Sequence, residues 1–120
     1  MRIFKNTWFA RFADKEGITD GDLREMVNQL EAGQAEADLG SGVYKVRVAR
    51  SGEGKSGGYR VIVFFRSGKR TFYVYGFAKS VKGNINEKQL RDFKRTAKAV
   101  LALTEKQLYD VLKTGKYLEI

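Results

Sequence analysis

The sequence predicts an α+β domain built on an antiparallel sheet, and three observations carry that reading. Apolar residues recur at helical spacing near both ends, the period switches to two between Val43 and Ser80, and turn residues separate the segments. With 120 residues and no Pro or Cys, the chain has room for one hydrophobic core, so residues 1–120 form a single domain.

The elements follow in order. Trp8, Phe9 and Phe12 form one apolar stripe, and Leu23, Met26, Val27 and Leu30 form a second at i, i+3, i+4, i+7. Lys15-Glu16-Gly17 separates the two, Thr19 and Asp20 offer N-cap oxygens, and Gly33 stands where a C-terminal cap belongs. Residues 7–32 therefore read as an N-terminal helical hairpin. Val43–Arg50, Tyr59–Arg66 and Arg70–Ser80 are rich in Val, Tyr, Phe and Ile and read as a three- to four-stranded antiparallel sheet. Ser67-Gly68-Lys69 suits a hairpin loop. Ser51–Gly58, half glycine, reads as a long mobile loop. Asn86 then caps a helix carrying Leu90, Phe93, Ala97, Val100 and Leu101. Thr104-Glu105-Lys106-Gln107 opens a second C-terminal helix with a capping box, and Gly115 ends it.

Composition narrows the function. Without His or Cys the chain can hold no zinc finger, disulfide framework, thiol nucleophile or histidine-based triad. No paired carboxylates or acidic metal cluster stand out, so neither a metal nor a cofactor is expected. No run of apolar residues reaches signal-peptide or membrane-spanning length, which leads us to expect a soluble, cytoplasmic protein.

Charge is uneven. Of the net +9, residues 1–40 contribute −3 and residues 83–120 contribute +3, while residues 41–82 hold ten cations against Glu53 alone. Such a block favours a polyanion, and nucleic acid is the commonest. Ser51-Gly52-Glu53-Gly54-Lys55-Ser56 ends like a phosphate-binding P-loop, but Ala49 replaces its first glycine and a strand follows instead of a helix. Lys55 is left as a cation on a loop, able to reach a phosphate. Strand alternation puts Lys45 and Arg47 on one face, opposite Val46 and Val48. In the same way Tyr73, Tyr75, Phe77 and Lys79 are expected to share a face, opposite Phe72, Val74, Gly76 and Ala78. If the basic faces coincide, Lys45, Arg47, Arg60 and Lys79 converge beside Tyr75 and Phe77, where cations grip phosphates and rings stack bases.

Val43-Tyr44-Lys45-Val46-Arg47 followed by Gly58-Tyr59-Arg60-Val61-Ile62-Val63 resembles the middle of the RelE/HigB superfamily of bacterial toxins from type II toxin–antitoxin modules. Val74-Tyr75-Gly76-Phe77-Ala78-Lys79-Ser80 resembles the third-strand segment of its phage-associated HigB-like branch. The resemblance implies a RelE-like fold and a toxin that cleaves mRNA on the ribosome. It also implies neutralisation by a cognate antitoxin, of helix-turn-helix type, with the toxin monomeric or held in a hetero-oligomer. It places the catalytic role on Arg60, Lys45, Arg47 and Lys79, with Arg50 and Lys55 supplementing the family's contacts; Tyr75, Phe77 and Lys82, read from the strand faces and the basic block, are expected to bind RNA. The expected enzyme is a metal-independent endoribonuclease. In the absence of histidine, a lysine crowded by cations takes the ribose 2′-OH proton, the arginines hold the phosphorane and Lys79 protonates the leaving oxygen. Two alternatives remain open: a gyrase-poisoning ParE-like toxin and a non-catalytic nucleic-acid-binding module. Tyr109, Tyr117, Leu118 and Ile120 either contact the antitoxin from a short exposed tail or pack back on the domain.

Overall fold

The computed structural model describes residues 1–50 and 54–120; the side chains at 50 and 54–57 lie outside the described residues, which covers the expectations for Arg50 and Lys55. In chain order the elements are β1 (Arg2–Asn6), α1 (Thr7–Glu16), α2 (Asp20–Glu31), β2 (Ala37–Gly40), β3 (Val43–Arg50), β4 (Gly54–Arg66), β5 (Arg70–Ala78), α3 (Glu87–Leu101), α4 (Glu105–Lys113) and β6 (Tyr117–Glu119). The strands form one six-stranded sheet in the order β2-β3-β4-β5-β1-β6, with β1 parallel to β5.

The helix boundaries follow the capping chemistry. Thr19, Asn86 and Thr104 each accept from a backbone N–H three residues on, and Asp22, Gln89 and Gln107 complete the three capping boxes. Gly17 and Gly115 close α1 and α4 in the left-handed conformation, at φ 73° and 78°. The 67–69 hairpin forms as expected, pairing Arg66 with Arg70.

The sheet is wider than expected and not wholly antiparallel. Strands β1, β2 and β6 have three to five residues each and carry no alternation long enough to read. Phe4 nevertheless is fully buried and stacks on Phe72 at 4.8 Å, which holds β1 against β5. The loop expected at 51–58 gives way to strand from Gly54, which pairs with Arg50; its first part, 51–53, lies outside the described residues. The C-terminal tail packs back rather than standing free. Tyr117 sets its edge on Phe72 at 5.2 Å, the Ile120 N–H donates to Ile3 O at 3.0 Å, and the Arg2 guanidinium grips Glu119 at 2.9 Å. Tyr109 and Leu118 remain exposed.

Helices cover both faces of the sheet. Phe9, Ala13, Leu23, Met26 and Leu30 from α1 and α2 pack on Val46, Val61, Val63 and Tyr73. Ala97, Val100 and Leu108 from α3 and α4 pack on Phe4, Val43, Ile62, Phe64 and Phe72. A strand buried on both faces loses its alternation, which is why β4 reads as nearly continuous apolar sequence.

One bulge decides what reaches the functional face. Ile62 pairs with Tyr75 but Val63 pairs with Tyr73, so Val74 is an extra residue in β5. Its carbonyl accepts from Asn6 Nδ2 at 3.0 Å, and the Asn6 carbonyl oxygen Oδ1 caps α1 by accepting from Phe9 N at 2.7 Å. The bulge inverts the alternation beyond it. Tyr73 therefore does not share a face with Tyr75 and Phe77. It lies against Phe9 under α1, its hydroxyl donating to Leu23 O at 2.5 Å, and burial pushes its ionisation upward. Tyr75 and Phe77 emerge with Phe72 and Val74 on the side of α3, whereas Gly76 and Ala78 join Tyr73.

Gly76 lets α1 approach β5. A Cβ there would lie 2.4 Å from Phe12 Cε2, and the Phe12 ring is already held by Trp8, Phe9 and Tyr59. Gly76→Ala is expected to cost about 1–3 kcal/mol by overpacking, measured by urea unfolding with an unchanged slope. An unaltered midpoint would show that the aromatic layer yields freely.

Candidate functional site

Lys45 and Arg47 lie on β3, and Arg60 lies opposite Arg47 on β4 in register, so alternation brings the three cations to the face shared with Ile62 and Phe77. A carboxylate holds them together. Glu36, in the bend just before β2, accepts from Arg47 Nε at 2.7 Å and from Arg60 Nε at 3.0 and 3.1 Å, and lies 3.5 Å from Lys45 Nζ. Arg60 is almost wholly buried, its side chain 5% exposed, whereas the Arg47 side chain is 50% exposed. The cluster is thus anchored on the central strand and opens to solvent at Arg47. There it meets a cleft of about 260 Å³ lined by Gln29, Gln34, Glu36 and Arg47.

Glu36 is the residue that sequence reading missed. It belongs to the acidic first third, outside both the basic block and the alternating strands, and the chain turn after α2 delivers it. Burial alone would push its carboxyl up; the Arg47 hydrogen bond and the charges of Arg60 and Lys45 outweigh that and hold it below the usual carboxylate range. It also removes the premise that these cations crowd one another unopposed, which the lysine-as-base expectation needed.

The other expected residues divide. Lys79 is exposed and donates to Gly83 O at 2.9 Å, and Lys45 Nζ lies 3.5 Å from Asn84 Oδ1, so both lysines touch neighbouring positions of the loop before α3. Lys82 donates to Gln89 Oε1 at 2.8 Å and lies 5.5 Å over the Tyr75 ring. Tyr75 is half-buried between Trp8, at 4.7 Å, and Phe93, at 5.8 Å. Phe77 is buried at 6% exposure, so it supports the site from beneath and cannot offer a ring face to a base, contrary to expectation.

Nor does the basic block act as one patch. Arg70 is buried and donates to Val100 O at 3.0 Å, and Arg66 lies near Leu101 O at 3.4 Å. Arg66 lies six strand steps beyond Arg60, about 20 Å, so these arginines fasten α3 at the far end of the sheet. Outward cations on α3 replace them in the surface field: Arg91, Lys94, Arg95 and Lys98 line one shallow depression.

The lowered Glu36 pKa has a stability consequence. A carboxyl depressed in the folded state stabilises the fold above its unfolded pKa, about 4.3, and that contribution is lost as pH falls through the lower folded value. Glu36→Gln is expected to flatten the acid side of a thermal-midpoint profile below about pH 4. Parallel profiles for both proteins would mean that the ion pairs add nothing to folding.

Fold and site together define a small α+β domain with a cation cluster on β3 and β4, counterbalanced by one carboxylate. That is a class suited to holding an anion. The family model described as the RelE toxin of the RelE / RelB toxin-antitoxin system matches residues 1–120, and the chain belongs to this RelE toxin family. It is therefore a toxin of a toxin–antitoxin system, with a cognate antitoxin as partner. Among the described residues no helix is long and apolar enough to cross a membrane.

Proposed function

We propose that this toxin is an endoribonuclease that cleaves mRNA on the ribosome, by attack of a ribose 2′-OH on the adjacent phosphorus without a metal. The observation that carries the reading is the Glu36 carboxylate held among Lys45, Arg47 and Arg60 beside an open cleft. An RNA phosphate entering there competes with Glu36 for the two guanidinium groups, which grip it as forks. The displaced carboxylate is already in its basic form at neutral pH, and the incoming negative charge raises its affinity for a proton. It takes the 2′-OH proton as the O2′–P bond forms. Arg47 and Arg60 stabilise the dianionic phosphorane. Lys45 gives its proton to the 5′-oxygen as the P–O5′ bond breaks, leaving a 2′,3′-cyclic phosphate. Relative to the sequence expectation, the base becomes a carboxylate and the proton donor is the lysine inside the cluster. Lys79 ties the loop before α3 down through Gly83 O, and Lys82, Arg50 and Lys55 add phosphate contacts.

The short motif Val74–Ser80 favours the phage-associated HigB-like branch; the lack of cysteine favours the cytoplasm as the place of action, and the family resemblance a helix-turn-helix antitoxin. The test is purified protein with labelled mRNA, with and without translating ribosomes, beside a gyrase supercoiling assay. Cleavage confined to translating ribosomes supports the reading. Intact mRNA with blocked supercoiling overturns it in favour of a ParE-like poison, and binding without cleavage in favour of a non-catalytic module.

A further inference from the structure

Trp8 is the only tryptophan in the chain and, unusually for so large a ring, is 40% exposed. Its indole is part of an aromatic ladder: it stacks on Phe12 at 5.4 Å and on Tyr75 at 4.7 Å, and Tyr75 in turn meets Phe77 at 6.1 Å. The ladder forms one wall of a groove of about 510 Å³ between α1 and the end of β5, with the highly exposed Val81 on its rim. Arg11 and Lys15 follow Trp8 at i+3 and i+7, so α1 presents them along the same groove, and Lys82 closes its other side. Neither Arg11 nor Lys15 has an ion-pair partner among the described residues. Phe77, in the floor of the groove, pairs in register with Arg60, one strand spacing or about 5 Å away.

We infer that this groove is a subsite for single-stranded RNA, in which a nucleobase stacks on Trp8 and Arg11, Lys15 and Lys82 take flanking phosphates. Exposed aromatic surface fringed by Arg11 and Lys15, which have no ion-pair partner among the described residues, and by Lys82 matches a polyanion carrying flat bases; the acid in the lining, Glu16, is engaged by the Tyr59 hydroxyl, and the net charge of +9 supports the same sign of partner. The adjacency to Arg60 makes it the place where RNA leaving the cleavage cluster is held. The assignment rests on the ribonuclease reading for its role, but binding is measured separately from cleavage.

The chain's single tryptophan provides the readout. The full-length protein is titrated with a six-nucleotide RNA, 2′-O-methylated throughout so that it cannot be cut, while Trp8 fluorescence is followed. Saturable quenching is expected. Trp8→Ala should weaken binding, followed by oligonucleotide anisotropy, by roughly 5- to 150-fold, the range for one base–aromatic stack. Arg11→Gln and Lys15→Gln, at exposed positions that leave the fold intact, should each lower the slope of log affinity against log salt by about one unit. Unquenched fluorescence at saturating RNA overturns the subsite, as do unchanged salt slopes in both charge variants. Quenching by wild-type protein that cuts no mRNA, with or without ribosomes, leaves the subsite standing and removes the ribonuclease reading instead.

Discussion

Arg60→Ala is expected to lower the single-turnover rate of mRNA cleavage by ~10²–10³, the usual cost of one preorganised contact to transition-state charge. Arg60 is the buried member of the cluster, on the central strand β4, with its neighbours on β3 and β5 in register. Rigidity is what makes its loss costly, since an exposed cation on a loop adds attraction but little geometry. Burial also means that the substitution disturbs the fold, because Glu36 keeps only Arg47 and Lys45 as partners. Arg60→Lys provides the control: the charge stays, the planar fork goes, and the rate should still fall steeply in a protein of near-native stability. A folded Arg60→Lys enzyme with full activity would remove the fork from the mechanism.

Glu36→Gln should separate binding from chemistry. Removing the resident anion frees two arginines and a lysine, so RNA should bind more tightly and with a salt slope steeper by about one unit. Loss of the base should at the same time lower the cleavage rate by ~10²–10⁴. The wild-type acid limb of kcat/KM, which reports the free enzyme, should lie below the ordinary carboxylate range, because the cations hold Glu36 there. The variant should lack that limb. Tighter binding with an unchanged rate would restrict Glu36 to the part of a counter-ion.

Much of this arrangement was legible in the sequence, and the failures have physical causes. Thr19, Asn86, Thr104, Gly17 and Gly115 marked helix ends because capping is local chemistry, settled within four residues. Lys45 and Arg47 were legible as one face because β3 alternates, but the face of Arg60 was not, because β4 is apolar on both sides; only its register opposite Arg47 brings it to them. The position of Tyr73 was not, because a bulge at Val74 leaves no mark in composition and shifts every later residue to the opposite face. Strand β1 escaped notice because its partner β5 lies 68 residues away in register and pairs in parallel, which no turn residue announces. Glu36 was hidden for a related reason: its partners are brought to it by the fold, and nothing near it in sequence predicts a cation. Trp8 read correctly as part of an apolar stripe, but only the tertiary contact with Tyr75 shows that the stripe runs out to the surface beside Arg11 and Lys15.

The central claim is that the Glu36 cluster cuts RNA through the substrate's own 2′-oxygen. A single ribosome-bound mRNA, prepared with and without one 2′-O-methyl group at the mapped cleavage position, tests this directly when both are treated with the toxin in the same ribosome-supporting buffer. The unmodified message should be cut and end in a 2′,3′-cyclic phosphate, while the methylated message resists at that bond. Cleavage of the methylated bond at the unmodified rate, or fragments ending in a plain 3′-hydroxyl, would contradict the account.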